Sequence, residues 1–419
     1  MGGMRLEPYR HVFALPGVLR LLAVALLARV PATAVGITLT LHVVGNLHRG
    51  YGAAGLVGAV STIGMALGGP VLGRLVDRRG LRPMLLLTTA GSAVFWAVAP
   101  VLPYPVLLPV AFLGGALTLP VFSVIRQSLA ALVPQQHRRA AYSIDSMSVE
   151  LSFMAGPALA VVILTNTSAP ATMWGVGVAL TLAGIGLYAF NPPVHSAEEH
   201  AAAGAPAGRH RVLTPRLVLV LVAVAGATFV LAGTDVGIVA VLREANQLSW
   251  SGVVFIAWGA YSLVGGFVYG ALPRPWSPLV LMTLLGLCTM PVGLAGEWHW
   301  LCLLIAPAGF LCAPVIASSS DTISRMVPAS VRGEAMGWHG SALTTGTSLG
   351  APAVGFVLDR YGASWGFALA GIVGVVVSLL AIVVVRHRSG GATPPGGPAD
   401  PAPAAIAVAA PAAAPAVAQ

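Results

Sequence analysis

The stretch Gly73-Arg-Leu-Val-Asp-Arg-Arg-Gly-Leu-Arg-Pro83 carries five charges where two apolar stretches meet, residues 53–76, whose only charge is Arg74 near its end, and residues 83–102. Each apolar stretch is long enough to cross a bilayer, because a spanning helix needs about 20 residues. A short segment with five charges cannot lie in hydrocarbon, so the chain is predicted to reverse direction at the membrane surface. Two membrane helices joined by a charged turn are therefore expected here.

The composition of the whole chain is that of a polytopic membrane protein. Of its 419 residues, 57% are hydrophobic and 8% are charged, with a mean hydropathy of +0.87. A soluble protein would carry about a quarter charged residues. The net charge of +9 does not indicate nucleic-acid binding, because the basic residues lie at segment ends and are not interleaved with aromatic residues.

All 22 basic residues are arginine, a usage typical of GC-rich bacterial genomes. Without lysine the chain has neither the P-loop lysine of a nucleotide-driven pump nor a residue for Schiff-base chemistry. Energy for any transport must then come from an ion or solute gradient, or from a partner chain. Cys288, Cys302 and Cys312 lie in apolar stretches and are interpreted as small core residues.

The apolar pattern predicts twelve membrane segments in two groups of six. The segments cover residues 18–45, 53–76, 83–102, 104–131, 138–165, 169–190, 216–243, 248–272, 278–296, 299–326, 332–358 and 364–385. Residues 1–190 and 216–388 are thus predicted to form two six-helix bundles, joined by a polar linker at 191–215. The Ala/Pro-rich tail at 389–419 is expected to be disordered.

The arginines predict the orientation of the segments. Eighteen of them lie at one set of segment ends, whereas only Arg49, Arg243 and Arg360 lie at the opposite ends. Because cytoplasmic loops carry the excess of basic residues, both termini and the linker are predicted to be cytoplasmic.

The two halves of the chain are related in sequence. At an offset of 194 several turn residues repeat: Gly115 and Gly309, Pro120 and Pro314, Arg138 and Arg332, and Gly156 and Gly350. A weaker copy of the charged stretch, Gly266-x-x-x-Gly270-Ala-Leu272-Pro-Arg274, aligns with Gly69-x-x-x-Gly73-Arg-Leu75 at an offset of 197 and contains no acid. These repeats predict a duplicated six-helix unit.

Within the charged stretch, the spacing of Gly73, Asp77, Arg78, Gly80 and Arg82 resembles the signature between helices 2 and 3 of the major facilitator superfamily of secondary transporters. With the twelve segments and the duplication, the resemblance spans nearly the whole chain up to the tail. It implies an all-α membrane protein with twelve transmembrane helices in two bundles, which rock about a central site. It also implies that the loop acid and bases latch the halves together in one state.

Ionisable residues inside segments are candidate functional residues, because such groups are costly in lipid. Arg29 and Thr33 begin a polar stripe on the first segment that continues to Gly36 and Thr40. Arg29 is expected either to contact an anion or substrate in a cavity, or to form an ion pair with an acid on a neighbouring helix.

Two carboxyl groups are candidates for the proton pathway, Glu150 in the fifth segment and Asp235 in the seventh. Burial in an apolar segment favours the protonated form of a carboxyl, which makes Glu150 a candidate proton carrier. The alternatives are a hydrogen-bonded core glutamate or the partner of Arg29. The same alternatives of function or structure are open for Asp235.

Other polar residues have a structural interpretation. Asp145 and Arg126 are expected to form gate ion pairs with the loop that carries Arg78 and Arg82. Two further expectations concern the second half: Asp321 pairs with Arg325 one helical turn away, and His339 is a hydrogen-bonded packing residue.

The pairs Gly156-Pro157 and Gly350 with Pro352 are predicted helix kinks in the fifth and eleventh segments. Gly156-Pro157 resembles the core of the signature of proton-coupled antiporters in the superfamily. Ser152 and Ala160 stand where that signature has glycine.

The function expected from these features is secondary active transport of a small organic solute across the cytoplasmic membrane, coupled to protons and directed outward. A monomer in the lipid bilayer without a cofactor or a bound metal is expected. The alternatives are an uptake symporter or uncoupled facilitator of the same fold, and a membrane sensor or assembly partner that does not transport. An enzyme is not favoured, because the chain has no nucleophile–base or metal-ligand motif.

Overall fold

The computed structural model describes residues 7–195, 212–272 and 276–390, and the regular structure in these ranges is helical. The α-helices are α1 (Glu7–Ala14), α2 (Val18–Gly45), α3 (Tyr51–Arg79), α4 (Leu81–Val98), α5 (Tyr104–Ala116), α6 (Val121–Leu132), α7 (Arg138–Asn166), α8 (Ala169–Phe190), α9 (Pro215–Glu244), α10 (Ser251–Ala271), α11 (Pro278–Thr289), α12 (Trp298–Met326), α13 (Arg332–Tyr361) and α14 (Ala363–Gly390).

Each of the twelve predicted segments corresponds to helical structure. In the described ranges ten helices are long and apolar enough to cross a membrane, and α5 with α6 counts as one of these, Tyr104–Leu132. The ninth segment is a shorter apolar helix, Pro278–Leu294. The eleventh segment, α13, has 30 residues, or about 45 Å of helix at the usual rise, with charged residues near both ends. The all-α membrane fold is confirmed, and α1 is an additional helix that was not predicted.

Prolines have different effects in different segments. The fourth segment is interrupted between α5 and α6, where Pro120 precedes Val121, because a proline disfavours helical geometry in the residue before it. Pro157 and Pro352 instead lie inside helices that continue unbroken on both sides.

The glycines next to these two prolines mark helix crossings. A Cβ atom at Gly156 would lie against the carbonyl oxygen of Val30 in α2, and one at Gly350 would lie against that of Phe229 in α9. Helices α2 and α9, and likewise α7 and α13, occupy equivalent positions in the internal repeat. The repeated glycine therefore allows the same backbone approach in both halves of the chain.

We call α2–α8 the first half and α9–α14 the second half. They meet along two seams: α3 lies against α13, and α7 against α10. Most of the predicted linker and the tail from residue 391 lie outside the described residues, so the domain boundaries stay a prediction. The described C-terminal helix α14 runs to Gly390, two residues beyond the predicted bundle.

The crossing of α2 and α7 predicts the effect of a single methyl group. Gly156→Ala would force the two backbones apart, and we expect it to lower stability by about 1–3 kcal/mol, the usual cost of overpacking. The matched control is Gly186→Ala in α8, where no atom lies within 4 Å of the added carbon. Thermal unfolding of the purified variants measures the difference. Equal unfolding midpoints for the two variants would contradict the interpretation.

Candidate functional site

The chain alternates in direction, so the amino ends of α2, α7, α9 and α13 lie on one side of the molecule. We call this side the arginine-rich face, because most of the arginines lie there. The predicted reversal after α3 is found at Gly80, whose φ of +81° is in the region that favours glycine. Helix α4 begins at the next residue.

Asp77 caps the amino end of α13 across the α3–α13 seam. Its carboxylate accepts hydrogen bonds from the backbone N–H groups of Gly333 at 2.8 Å and Glu334 at 2.7 Å. A negative charge at this position is favoured by the unpaired N–H groups and the dipole of the helix. The acid of the sequence signature thus joins the first half to the second half.

An ion pair adds to this contact. The Arg74 guanidinium donates to both carboxylate oxygens of Glu334, with Nε–Oε2 at 2.9 Å and Nη2–Oε1 at 2.5 Å. We call Asp77, Arg74, Glu334 and the α13 amino end the charged clamp. Sequence reasoning missed Glu334, since it lies 260 positions away from its partner. Arg78 and Arg82 are exposed, and their role as gating residues stays a prediction.

Glycines bring the two backbones of this seam into contact. Added Cβ atoms at Gly73, Gly333 and Gly337 would each overlap the other helix, and one at Gly69 would lie in tight contact, 3.1 Å from the Gly337 carbonyl oxygen. The charged clamp therefore closes a seam that is already packed backbone to backbone.

A buried charge cluster lies inside the first half. Asp145 in α7 accepts from Arg29 Nη2 at 2.6 Å and from Arg126 Nε at 3.2 Å. The side chains of Arg29 and Asp145 are 0% exposed. The Arg29 guanidinium also lies over the Phe122 ring, 5.1 Å from its centroid.

The expectation that Asp145 and Arg126 form ion pairs with the loop that carries Arg78 and Arg82 is wrong, because Asp145 pairs with Arg29 and Arg126 instead. Arg78 and Arg82 are exposed at the surface, whereas a buried carboxylate needs partners that are buried beside it. Those partners come from α2 and α6. For Arg29, the ion-pair alternative describes this conformation, and its role in a substrate pathway stays a prediction.

Glu150 lies one and a half turns beyond Asp145 on α7 and connects the two halves. The Cys312 thiol of α12 donates to Glu150 Oε1 at 3.1 Å, and Ser262 of α10 lies beside this carboxyl, where its hydroxyl oxygen accepts from the backbone N–H of Ala313. The alternative that pairs Glu150 with Arg29 is not found. No sequence pattern indicates a role for Cys312, which lies in an apolar stretch and was interpreted as a small core residue.

Asp235 in α9 is the second carboxyl of this region. Its side chain is exposed, whereas Thr234 and Gly237 beside it in α9 are buried, and Glu150 lies nearby. A side chain surrounded by protein and still accessible lines an internal opening. The ion pairs of the described residues leave both carboxyl groups without an arginine partner.

The opening is directed away from the arginine-rich face. On the α3–α13 seam of the described residues, the polar contacts and close glycine contacts between the halves begin at the arginine-rich face with Arg74 and Glu334. The last of them along the helices joins Met65 to Thr344. On the α7–α10 seam they end at Met154 and Gly259. These last contacts lie near the middle of each helix. The conformation is therefore closed at the arginine-rich face.

The remaining polar candidates have local partners. Thr33 donates to the Ser152 carbonyl at 2.7 Å, which joins α2 to α7. The predicted pair of Asp321 with Arg325 is confirmed at 2.9 Å. His339 is buried and hydrogen-bonds to Ser319 at 3.0 Å, as expected for a packing residue.

The family follows from comparison with known proteins. The family model described as Major Facilitator Superfamily matches residues 21–295 and 269–415. The chain belongs to this superfamily. It is thus a multi-pass membrane protein of a transporter family whose members bind small molecules, rather than a member of an enzyme family. No curated protein sequence matches the chain.

Solved structures that share this fold include the following three. The human organic anion transporter MFSD10 is 17% identical with a TM-score of 0.68, covering 87% of this chain and 100% of its own. The proton:xylose symporter XylE is 15% identical with a TM-score of 0.64, covering 88% and 96%. A bacterial homologue of the iron transporter ferroportin, in an outward-facing state, is 16% identical with a TM-score of 0.67, covering 89% and 99%.

The buried charge cluster predicts a large effect of one substitution. Asp145→Asn would leave two buried guanidinium groups without their counter-charge, and breaking a buried ion pair on one side costs about 3–5 kcal/mol. We expect a strong fall in the thermal unfolding midpoint or loss of the folded protein. The control is Asp359→Asn, since Asp359 is exposed. If both variants unfold alike, the cluster does not stabilise the first half.

Proposed function

We propose that the protein is a secondary active transporter that exports a small organic solute in exchange for protons by alternating access. The observation that carries the proposal is the position of Glu150. This carboxyl lies between the halves, bound to Cys312, near Asp235 and at the level where the contacts of the α7–α10 seam end. The surroundings of a carboxyl group at this point would change with any rocking of the two halves.

The orientation is part of the proposal. The excess of arginine at one face supports a cytoplasmic location for that face and for both chain termini. The conformation described here would then be open to the outside. Export requires the charged clamp to release, so that the halves separate at the cytoplasmic face and meet at the outer face.

Proton coupling follows from the charge of Glu150. An ionised carboxylate is costly to enclose in apolar surroundings, so closure of the outer face around it is opposed. Binding a proton removes the charge and permits closure, after which the proton can leave to the cytoplasm. A solute that binds only after the proton has left would be carried in the opposite direction.

The charged groups that are accessible from the opening favour one charge type of solute over another. MFSD10 is described as an organic anion transporter, but the arginines that could hold an anion in this chain are bound to Asp145 and buried. The carboxyl groups without arginine partners favour a positively charged organic solute, which they attract, or a neutral one, over an anion, which they repel.

Transport in liposomes tests the function. Purified protein is reconstituted, and internal pH is recorded while organic cations, anions and neutral sugars are added in turn. We expect a proton flux that depends on an organic cation or neutral solute and not on anions. Silence with folded protein across the panel would contradict a proton-coupled transporter, whereas accumulation of solute without proton flux would contradict the coupling alone.

A single substitution tests the coupling residue. Glu150→Gln keeps the shape of the side chain but cannot cycle a proton, so we expect it to abolish gradient-driven transport and to leave solute counterflow intact. The matched control is Glu297→Gln, because the Glu297 side chain is 55% exposed and lies before α12. Net transport by Glu150→Gln at the wild-type rate would exclude Glu150 as the coupling carboxyl.

A further inference from the structure

The short helix α1 lies outside the predicted spans and reaches the second half. Gly17, with φ of +86°, turns the chain between α1 and α2, and this region of φ favours glycine. The buried residues of α1 are Tyr9, 6% exposed, and Val12, 0% exposed. A helix of eight residues is too short to be stable alone, so its position depends on these contacts.

Tyr9 binds the end of α10 at the arginine-rich face. Its hydroxyl donates to the Phe267 carbonyl oxygen at 2.5 Å, and its ring stacks on the Phe267 ring at 5.0 Å with an angle of 9° between the planes. An added Cβ at Gly270 would overlap the Tyr9 hydroxyl and Ser143 of α7. Burial raises the pKa of Tyr9, so the hydroxyl keeps its proton and remains a donor.

The other side of α1 contacts the first half. The His11 ring stacks on the His137 ring just before α7, with centroids 5.1 Å apart. Tyr9 and His11 thus hold α1 across the α7–α10 seam. Arg139 of α7 adds a hydrogen bond to the Leu272 carbonyl oxygen at the end of α10.

The internal repeat relates this seam to the α3–α13 seam. Gly266 and Gly270 of α10 occupy the positions of Gly69 and Gly73, which pack against α13. The acids of the charged clamp are not repeated: at the same offsets Ala140 matches Glu334, and Arg274, outside the described residues, matches Asp77. The α7–α10 seam therefore repeats the glycines on α10 only, since Arg139 and Ser143 of α7 stand at the positions of Gly333 and Gly337, and it lacks the matching acids.

We propose that α1 is a latch that replaces the missing acidic clamp at the α7–α10 seam. The Tyr9 hydroxyl and ring join α10 of the second half to the polypeptide that leads into the first half. Release of Tyr9 lets this seam open at the arginine-rich face. The inference goes beyond the proposed function, because it holds for any solute, coupling ion or direction of transport.

Hydrogen–deuterium exchange of the full-length protein in nanodiscs tests the latch through Tyr9→Phe and Tyr9→Ala. We expect Tyr9→Phe to raise amide exchange in residues 139–147 and 262–272 by about threefold to tenfold, the effect of one neutral hydrogen bond. Tyr9→Ala, which also loses the ring, should raise it further. Exchange at the opposite ends of α7 and α10, residues 158–166 and 251–258, should fall as that side closes.

The matched control is Phe13→Ala, which removes an aromatic ring from the same helix at a position that is 48% exposed. The backbone amides of this variant should exchange at the wild-type rates. The latch is overturned if both Tyr9 variants exchange like the wild type in residues 139–147 and 262–272. It is also overturned if exchange rises throughout the first half, since α1 would then be a part of that half's core. Should Tyr9→Ala fail to fold, Tyr9→Phe alone decides by the same criteria.

Discussion

Backbone contact between α3 and α13 is the constraint on which the rest of the structure depends. Glycines at positions 69, 73, 333 and 337 let the helices touch without side chains between them, which is how membrane helices gain packing energy in the absence of a hydrophobic driving force. Asp77 can reach the N–H groups of Gly333 and Glu334 only because the backbones are this close. With the arginine-rich face closed in this way, the opening between the halves is left on the other side, and Asp235 lies in it.

The charges of the interior are sorted by accessibility. Arg29, Arg126 and Asp145 neutralise one another in part inside the first half, where low polarity makes any unpaired charge expensive. Glu150 and Asp235 lie toward the opening and have no arginine partner in the described residues. All members of the buried charge cluster come from helices of the first half, so the proposed rocking of the halves would leave their pairing unchanged. The carboxyl groups near the opening, in contrast, would change their surroundings in that movement.

Sequence reasoning predicted the features that depend on local pattern. Segment length and hydropathy predicted the membrane helices, the one-turn spacing predicted the Asp321–Arg325 pair, and the charges between residues 73 and 83 predicted the reversal after α3. Features that depend on distant contacts were missed or wrong. Nothing in the spacing of Asp145 indicates that its partners lie on α2 and α6 rather than in the charged loop. Neither Cys312 nor Tyr9 belongs to a sequence motif that indicates a role. Only the packing of the two halves brings Cys312 to Glu150 and Tyr9 to Phe267.

The two seams at the arginine-rich face are built from different kinds of interaction, and they respond differently to the surrounding solution. The Arg74 side chain of the charged clamp is 47% exposed, so dissolved ions within a Debye length of about 8 Å at physiological ionic strength screen it. The stacked rings and the neutral hydroxyl contact at the α7–α10 seam are not weakened in this way. Rising ionic strength therefore weakens the Arg74–Glu334 ion pair of the α3–α13 seam and leaves the Tyr9 contacts of the α7–α10 seam unchanged.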